Sequence, residues 1–257
     1  MSNRIILGLD ISTTCTGISI VLVDEEENIK PIVVTHLRHK VSKKLDKIES
    51  LFVKCNGFIE KLDEILKEND LYVNGKTIIT DVVIEEPLVS SNNKYTVATL
   101  LRYNGMTAYK VYELLGIVPT FISSADARKY GVPKLMSVRL YDKKGEKRNY
   151  LEVLKDLISN KLVMFGEYPF DYPKKLILWE YVSQKFPDIQ WVYNSKNELK
   201  KENFDASDSL ICILGLIGME KYLDNKPEVV VTSNDGNSNI EYCYNFCGCK
   251  IIKEIKF

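Results

Sequence analysis

Residues 6–18, ILGLDISTTCTGI, decide how this chain is read: an apolar run is broken by one carboxylate, Asp10, and then by a string of small residues. An unpartnered buried ion costs several kcal/mol. Asp10 therefore needs either a rescuing partner or a chemical use. Working outward, residues 4–10 and 17–24 read as strands joined by ISTTCT, and DEEEN turns into a third strand, PIVVTH. Short turns between three successive strands predict an antiparallel meander.

A helix follows, with apolar residues at three- and four-residue spacing from Leu45 to Leu66, one face of an α-helix. The strand TIITDVVIEEP is stopped by Pro87, a second helix pattern runs from Val97 to Leu115, and IVPTFIS is a further strand. Strands alternating with helices imply right-handed crossovers. The expected fold is α/β: a mixed five-stranded sheet, three antiparallel strands extended by two parallel ones, with helices on both faces. Further helices are expected around NYLEVLKDLISN and KKLILWEYVSQKF, separated by MFGEYPFDYP. ENFDASDSLICILGLIGMEKYL is apolar nearly all round after its first turn, which predicts a buried helix. The tail VVVTSNDGNSNIEYCYNF reads as a β-hairpin with Asp235 and Gly236 in its turn. The expected organisation is one domain over 1–225, with an insert at about 162–202, and a C-terminal hairpin extension over 226–257.

At 257 residues, 45% hydrophobic and 27% charged with zero net charge, the chain can bury one large core. No stretch approaches the roughly 20 apolar residues of a membrane span. The opening MSNRIILGLD enters a strand without a signal-peptide pattern. Six scattered cysteines do not form a disulfide framework, and a reduced, cytoplasmic chain is expected. Charge is segregated: between Arg128 and Arg148 eight basic residues face two acids. Such a stretch suits a basic groove on a neutral protein, although a solvated face has the same composition.

Further acids occupy apolar settings. Glu85 lies at the end of the strand DVVIEE, and Asp205 and Asp208 open the apolar helix, three apart and so on one face. Acids in a first helical turn also suit the helix dipole, and Glu85 taken alone is a plain strand-end residue. In combination they mean more. Parallel strands end on one side of a sheet, where crossover folds place their sites. Two carboxylates about 4 Å apart repel by around 4 kcal/mol at an effective dielectric of 20. A hard cation relieves this, and all-oxygen ligands favour Mg²⁺ or Mn²⁺.

Three blocks in order, IILGLDISTTCTGISIV, VVIEEPLVSSNNKYTVATLLRYNGM and FDASDSLICILGL, resemble the acidic motifs of RuvC-type Holliday junction resolvases, nucleases of the ribonuclease H-like superfamily. The resemblance implies a ribonuclease H-like fold, a homodimer acting on branched DNA (a four-way junction), and two Mg²⁺ ions per site, with Mn²⁺ as a substitute. It implies Asp10, Glu85, Asp205 and Asp208 as catalytic metal ligands, with Glu86 as the fallback for Glu85. Lys147 falls where the family carries a lysine near the scissile phosphate. Leu88, Lys94, Arg128, Lys129, Lys134, Lys143, Lys144 and Arg148 take positions expected to meet DNA. The insert departs from a minimal family member and brings Lys174, Lys175, Trp179 and Trp191, a mixture that either tracks nucleic acid or packs. The Lys-, Asn- and Ile-rich composition suits an AT-rich phage or viral genome.

Other signals weigh less. NGKT at 74–77 lacks the earlier glycine of a phosphate-binding loop, because that position is Asp70. Cys243, Cys247 and Cys249 fall one ligand short of structural zinc. His36 and His39 read as surface or backbone-contacting residues. The competing classes are an actin-like or sugar-kinase ATPase, whose phosphate turns are missing, another ribonuclease H-like nuclease on branched DNA or RNA, and a catalytically silent nucleic-acid-binding relative.

Overall fold

The structure, a computed structural model, describes residues 3–42, 44–87, 93–167, 169–221, 228–234, 237–246 and 249–256. The chain divides into two compact units, Met1–Ser124 with Lys175–Ile213, and Ala125–Lys174 with Leu214–Phe257.

The first unit holds the mixed sheet. Strands β1 (Arg4–Ile11), β2 (Cys15–Val23) and β3 (Ile29–Arg38) form the expected meander, followed by helix α1 (Lys47–Glu68). A short hairpin, β4 (Tyr72–Val73) and β5 (Lys76–Thr77), leads to β6 (Asp81–Glu85), α2 (Lys94–Leu115) and β7 (Thr120–Ile122). The NGKT stretch rejected as a phosphate loop supplies this hairpin's two-residue turn, Asn74 and Gly75, both at positive φ, 51° and 75°, and then β5 itself. The five-stranded sheet has the order β3-β2-β1-β6-β7. β1 pairs antiparallel with β2, and β6 runs parallel to both β1 and β7. This is the three-plus-two sheet expected from the alternation of strands and helices.

The period-two alternation of β1 separates its faces. Leu7, Leu9 and Ile11 join Ile18 and Ile20 in a core with Leu51, Phe58, Leu62 and Leu66 of α1 and Tyr103 and Val111 of α2. The opposite face carries Gly8 and Asp10, with Gly17 paired to Asp10 and Ser19 to Gly8. Helix α6 (Glu202–Lys221) lies over it, so helices cover both faces. A Cβ added at Gly17 would stand 1.9 Å from the Asp205 carbonyl oxygen, and one at Gly8 would stand 2.4 Å from that of Ser209. Ser19 Oγ meets Ser209 Oγ at 2.7 Å. Small residues thus let the first turns of α6 settle directly on the strand backbones. A bidentate pair from Arg4 to Asp81, at 3.0 and 3.1 Å, fixes the start of the parallel register between β1 and β6.

The insert's helix α5 (Lys174–Lys185) belongs to this unit from Lys175 onward. Trp179 and Trp191 pack edge to face, 5.8 Å between ring centres, the packing role left open by their sequence context.

The second unit contains helix α3 (Ser124–Gly131) from Ala125, β8 (Met136–Ser137) paired with β9 (Val163–Met164), and α4 (Tyr150–Ile158). Its tail is a three-stranded antiparallel sheet, β10 (Glu228–Asn234), β11 (Asn237–Phe246) and β12 (Cys249–Lys256). The expected hairpin therefore gains a third strand, CKIIKEIK. Val138, Val153, Leu157, Ile240, Tyr242 and Ile255 form this unit's core. Asp235, Gly236 and Cys247 lie outside the described residues. Among the described residues no helix is long and apolar enough to cross a membrane.

Candidate active site

The STTC turn explains the small residues after Asp10. Ser12 Oγ accepts from the Cys15 amide at 3.1 Å and donates to the Cys15 carbonyl at 2.6 Å, closing the link between β1 and β2. Lys54 of α1 donates to the Thr13 carbonyl at 2.7 Å. Asp10 is thereby held near the end of a braced strand. The parallel register ends at Leu9 and Ile84, the residues just before Asp10 and Glu85, and the Glu85 charge acts on Asp10. Successive strand residues point to opposite faces, so Glu86 turns away from Glu85 and is exposed. The Cys212 thiol donates to Glu85 Oε2 at 3.9 Å, and Asn104 Nδ2 donates to the Glu85 carbonyl at 3.4 Å.

The other two acids arrive on α6, whose seating on Gly8 and Gly17 brings its N-terminal turns to the same face. Asp208 is buried, its side chain 7% exposed, while the Asp205 side chain is 24% exposed. Burial holds the Asp10 carboxyl well above the usual carboxylate range, and the charges of Glu85, Asp208 and Asp205 push it further; Lys175 opposes them. Cys15, pushed up to about 12 by burial and then by Asp205, stays a neutral thiol against that carboxylate.

Lys175 contributes the cluster's cation. Its Nζ lies 3.3 Å from Asp208 Oδ2 and 3.6 Å from Asp205 Oδ1. Burial works against its charge, but Asp208, Asp205 and Asp10 outweigh this and hold its pKa above the ordinary lysine value. A cavity of about 300 Å³ lined by Thr14, Cys15, Arg38, Lys175, Lys201 and Asp205 opens beside it. Arg38 there pairs with Glu202 at 2.7 Å. A larger cavity, about 750 Å³, lies along β3 and is lined by none of the four acids.

Among the described residues no three histidine, cysteine, aspartate or glutamate side chains form a ready-made metal-holding group. The acids instead gather loosely, with an ammonium between two of them. Donor chemistry provides the fit: four carboxylates suit a hard divalent cation, and Lys175 already fills the role of positive charge.

The remaining expected residues divide between the units. Lys94 is exposed at the start of α2, whereas Leu88 lies outside the described residues. Arg128, Lys129, Lys134, Lys143, Lys144, Lys147 and Arg148 belong to the second unit. Lys143 and Lys144 are exposed on a turn whose Asp142 carboxylate accepts the amides of Lys144 and Glu146. Lys147 Nζ donates to the Lys256 carbonyl at 3.3 Å. Arg148 is tied to Asp156 at 2.8 Å and donates to the Arg139 carbonyl, which gives it a structural attachment. His39 differs from its expected surface setting: half-buried, its Nε2 meets Thr16 Oγ1 at 2.8 Å and the Tyr103 hydroxyl at 3.2 Å.

Sequence reasoning did not single out Lys175, which it grouped with the basic-aromatic insert, nor Gly8 and Gly17. The glycines carried a signal, because they alternate with Leu7, Leu9 and Ile18 and mark the face that must stay bare.

No family model matches the chain, and no curated protein matches it. Among solved structures it is similar to Thermus thermophilus RuvC, at 13% identity and TM-score 0.46 over 88% of this chain and all of that one. It is also similar to the yeast mitochondrial Holliday junction resolvase Ydc2, at 12% identity and TM-score 0.40 over 84% of this chain and 80% of that one. The Aquifex aeolicus PPX-GPPA enzyme matches at 9% identity and TM-score 0.32, over 98% of this chain and 52% of that one. Likenesses at this depth carry no functional argument, and function rests on the chain's own residues.

Proposed function

We propose that this chain is a divalent-metal-dependent endonuclease that resolves four-way DNA junctions by paired phosphodiester hydrolysis. One observation carries the reading: α6, seated on Gly8 and Gly17, brings Asp205 and Asp208 to the sheet face that carries Asp10, where their charges and that of Glu85 act on it, although the four acids come from three separated stretches of sequence. Such mutual repulsion is a liability without a cationic use. The order and context of the motifs, similar to those of RuvC-type resolvases, agree with it.

Asp10, Glu85, Asp205 and Asp208 would hold Mg²⁺ or Mn²⁺, two ions per site. When bound, such ions supply an activated water and charge neutralisation at the phosphate. The chain's residues supply the rest. β1 and β6 hold two carboxylates on a rigid sheet, and α6 delivers two more. Lys175 and Lys201 bring positive charge to the adjoining cavity, beside the Arg38–Glu202 pair and Asp205, and would meet a phosphate there. Lys147 is proposed as a further cation on the scissile phosphate. Lys94, Arg128, Lys129, Lys134, Lys143, Lys144 and Arg148 are proposed to track the DNA backbone, with Leu88 at the junction centre. A homodimer would nick opposing strands symmetrically, in a reducing cytoplasm.

The test incubates the protein with labelled four-way, forked and linear duplex DNA, in Mg²⁺ and in EDTA, beside Asp10→Asn. Paired symmetric nicks on the four-way substrate, lost with chelator and in the variant, are expected. ATP turnover with intact DNA, or junction binding without cleavage, overturns the reading.

A further inference from the structure

Helix α5 belongs to the insert, yet its second residue reaches the acids. The Lys175 ammonium sits 3.3 Å from Asp208 and 3.6 Å from Asp205, so one monovalent charge is shared by two carboxylates. The Asp208 side chain is 7% exposed, whereas that of Lys175 is 53% exposed. The acid is thus fixed, and the cation is open to solvent on a flexible stem. Of the other two basic residues lining the adjoining cavity, Arg38 and Lys201, Arg38 is already paired with Glu202 at 2.7 Å.

We infer that Lys175 is a built-in counter-ion that occupies the acid cluster in the metal-free protein and competes with the divalent cation for Asp205 and Asp208. The inference rests on reading the acids as a divalent-cation site. A lysine suits the role better than an arginine: its compact charge makes no rigid bidentate fork and can swing away while α5 stays in place. The half-exposed ammonium is screened by water, so its displacement is cheap enough for a divalent ion to win. Lys175 then sets the cation concentration at which the site fills. It also relieves the repulsion between Asp205 and Asp208 when no ion is present.

The experiment titrates Mn²⁺ calorimetrically into the full chain as wild type, Lys175→Met, Lys175→Arg and Asp208→Asn, and records melting temperatures with and without Mn²⁺. Lys175→Met is expected to bind Mn²⁺ about five- to tenfold more tightly than wild type, through loss of a half-exposed ammonium shared by two acids. It should also melt lower without metal and gain more from Mn²⁺. Lys175→Arg should tighten binding less than Lys175→Met, because the competing charge remains. Asp208→Asn should weaken it. Equal or weaker Mn²⁺ affinity in Lys175→Met, with wild type binding normally, overturns the competitor role and leaves the acid site standing. Absence of Mn²⁺ binding in both wild type and Lys175→Met overturns the acid site, and the competitor with it.

Discussion

Asp10 shows how one residue can be costly in isolation and intelligible in company. Its carboxyl is pushed up by burial and then by Glu85, Asp208 and Asp205, so every neighbour that makes it useful also makes it unstable. His39 is the contrasting case. Burial, then the charge of Lys54, lowers its pKa to about 4 from the ordinary 6.5, and two hydroxyls converge on its Nε2. The folded protein therefore resists the proton that the unfolded chain accepts below about 6.5. This stability is fully present above pH 6.5 and is lost as pH falls through that value toward 4, by about 2–3 kcal/mol. Urea unfolding midpoints compared at pH 7.5 and 5 should show a smaller loss in His39→Gln than in wild type. An equal loss in the two proteins would reject the assignment.

At the scale of elements, the seating of α6 on β1 and β2 decides whether the acids meet. Gly17 is its tightest point, with the Asp205 carbonyl 1.9 Å from where a Cβ would stand. Gly17→Ala must lift the helix turn that carries Asp205. It is expected to cost about 3 kcal/mol, the upper range for overpacking, and to weaken Mn²⁺ binding. Gly57 in α1 is the control, since nothing lies within 4 Å of its added Cβ. Gly57→Ala should stabilise by roughly 0.5–1 kcal/mol through helix propensity. Melting curves of the two variants check both signs. The strands and helices themselves were largely readable, because apolar periodicity and short turns are local properties. The minute pairs β4–β5 and β8–β9 were not, because two-residue strands carry no period.

For the whole molecule, the acid cluster and the basic stretch divide between two units. The four acids lie in the first, and the segment from Arg128 to Arg148 lies in the second. On the proposed function, reversing Lys143 and Lys144 to glutamate should weaken junction binding about tenfold and flatten its salt dependence, as lost phosphate contacts do. Mn²⁺ binding should be unchanged, and a fluorescence titration at several salt concentrations reads the difference.

What the chain alone determined is the sheet and the identity of its uneconomical acids. Alternating faces, turn residues and an aspartate breaking an apolar run are legible within a few residues, and order along the chain sets topology. The tertiary structure decided what surrounds those acids. Glu85 was separated from Glu86 by the strand register, and Lys175 was brought onto Asp205 and Asp208 by the packing of an insert thirty residues upstream. Both outcomes depend on which surfaces meet, and long-range electrostatic partners leave no periodic mark on the sequences that supply them.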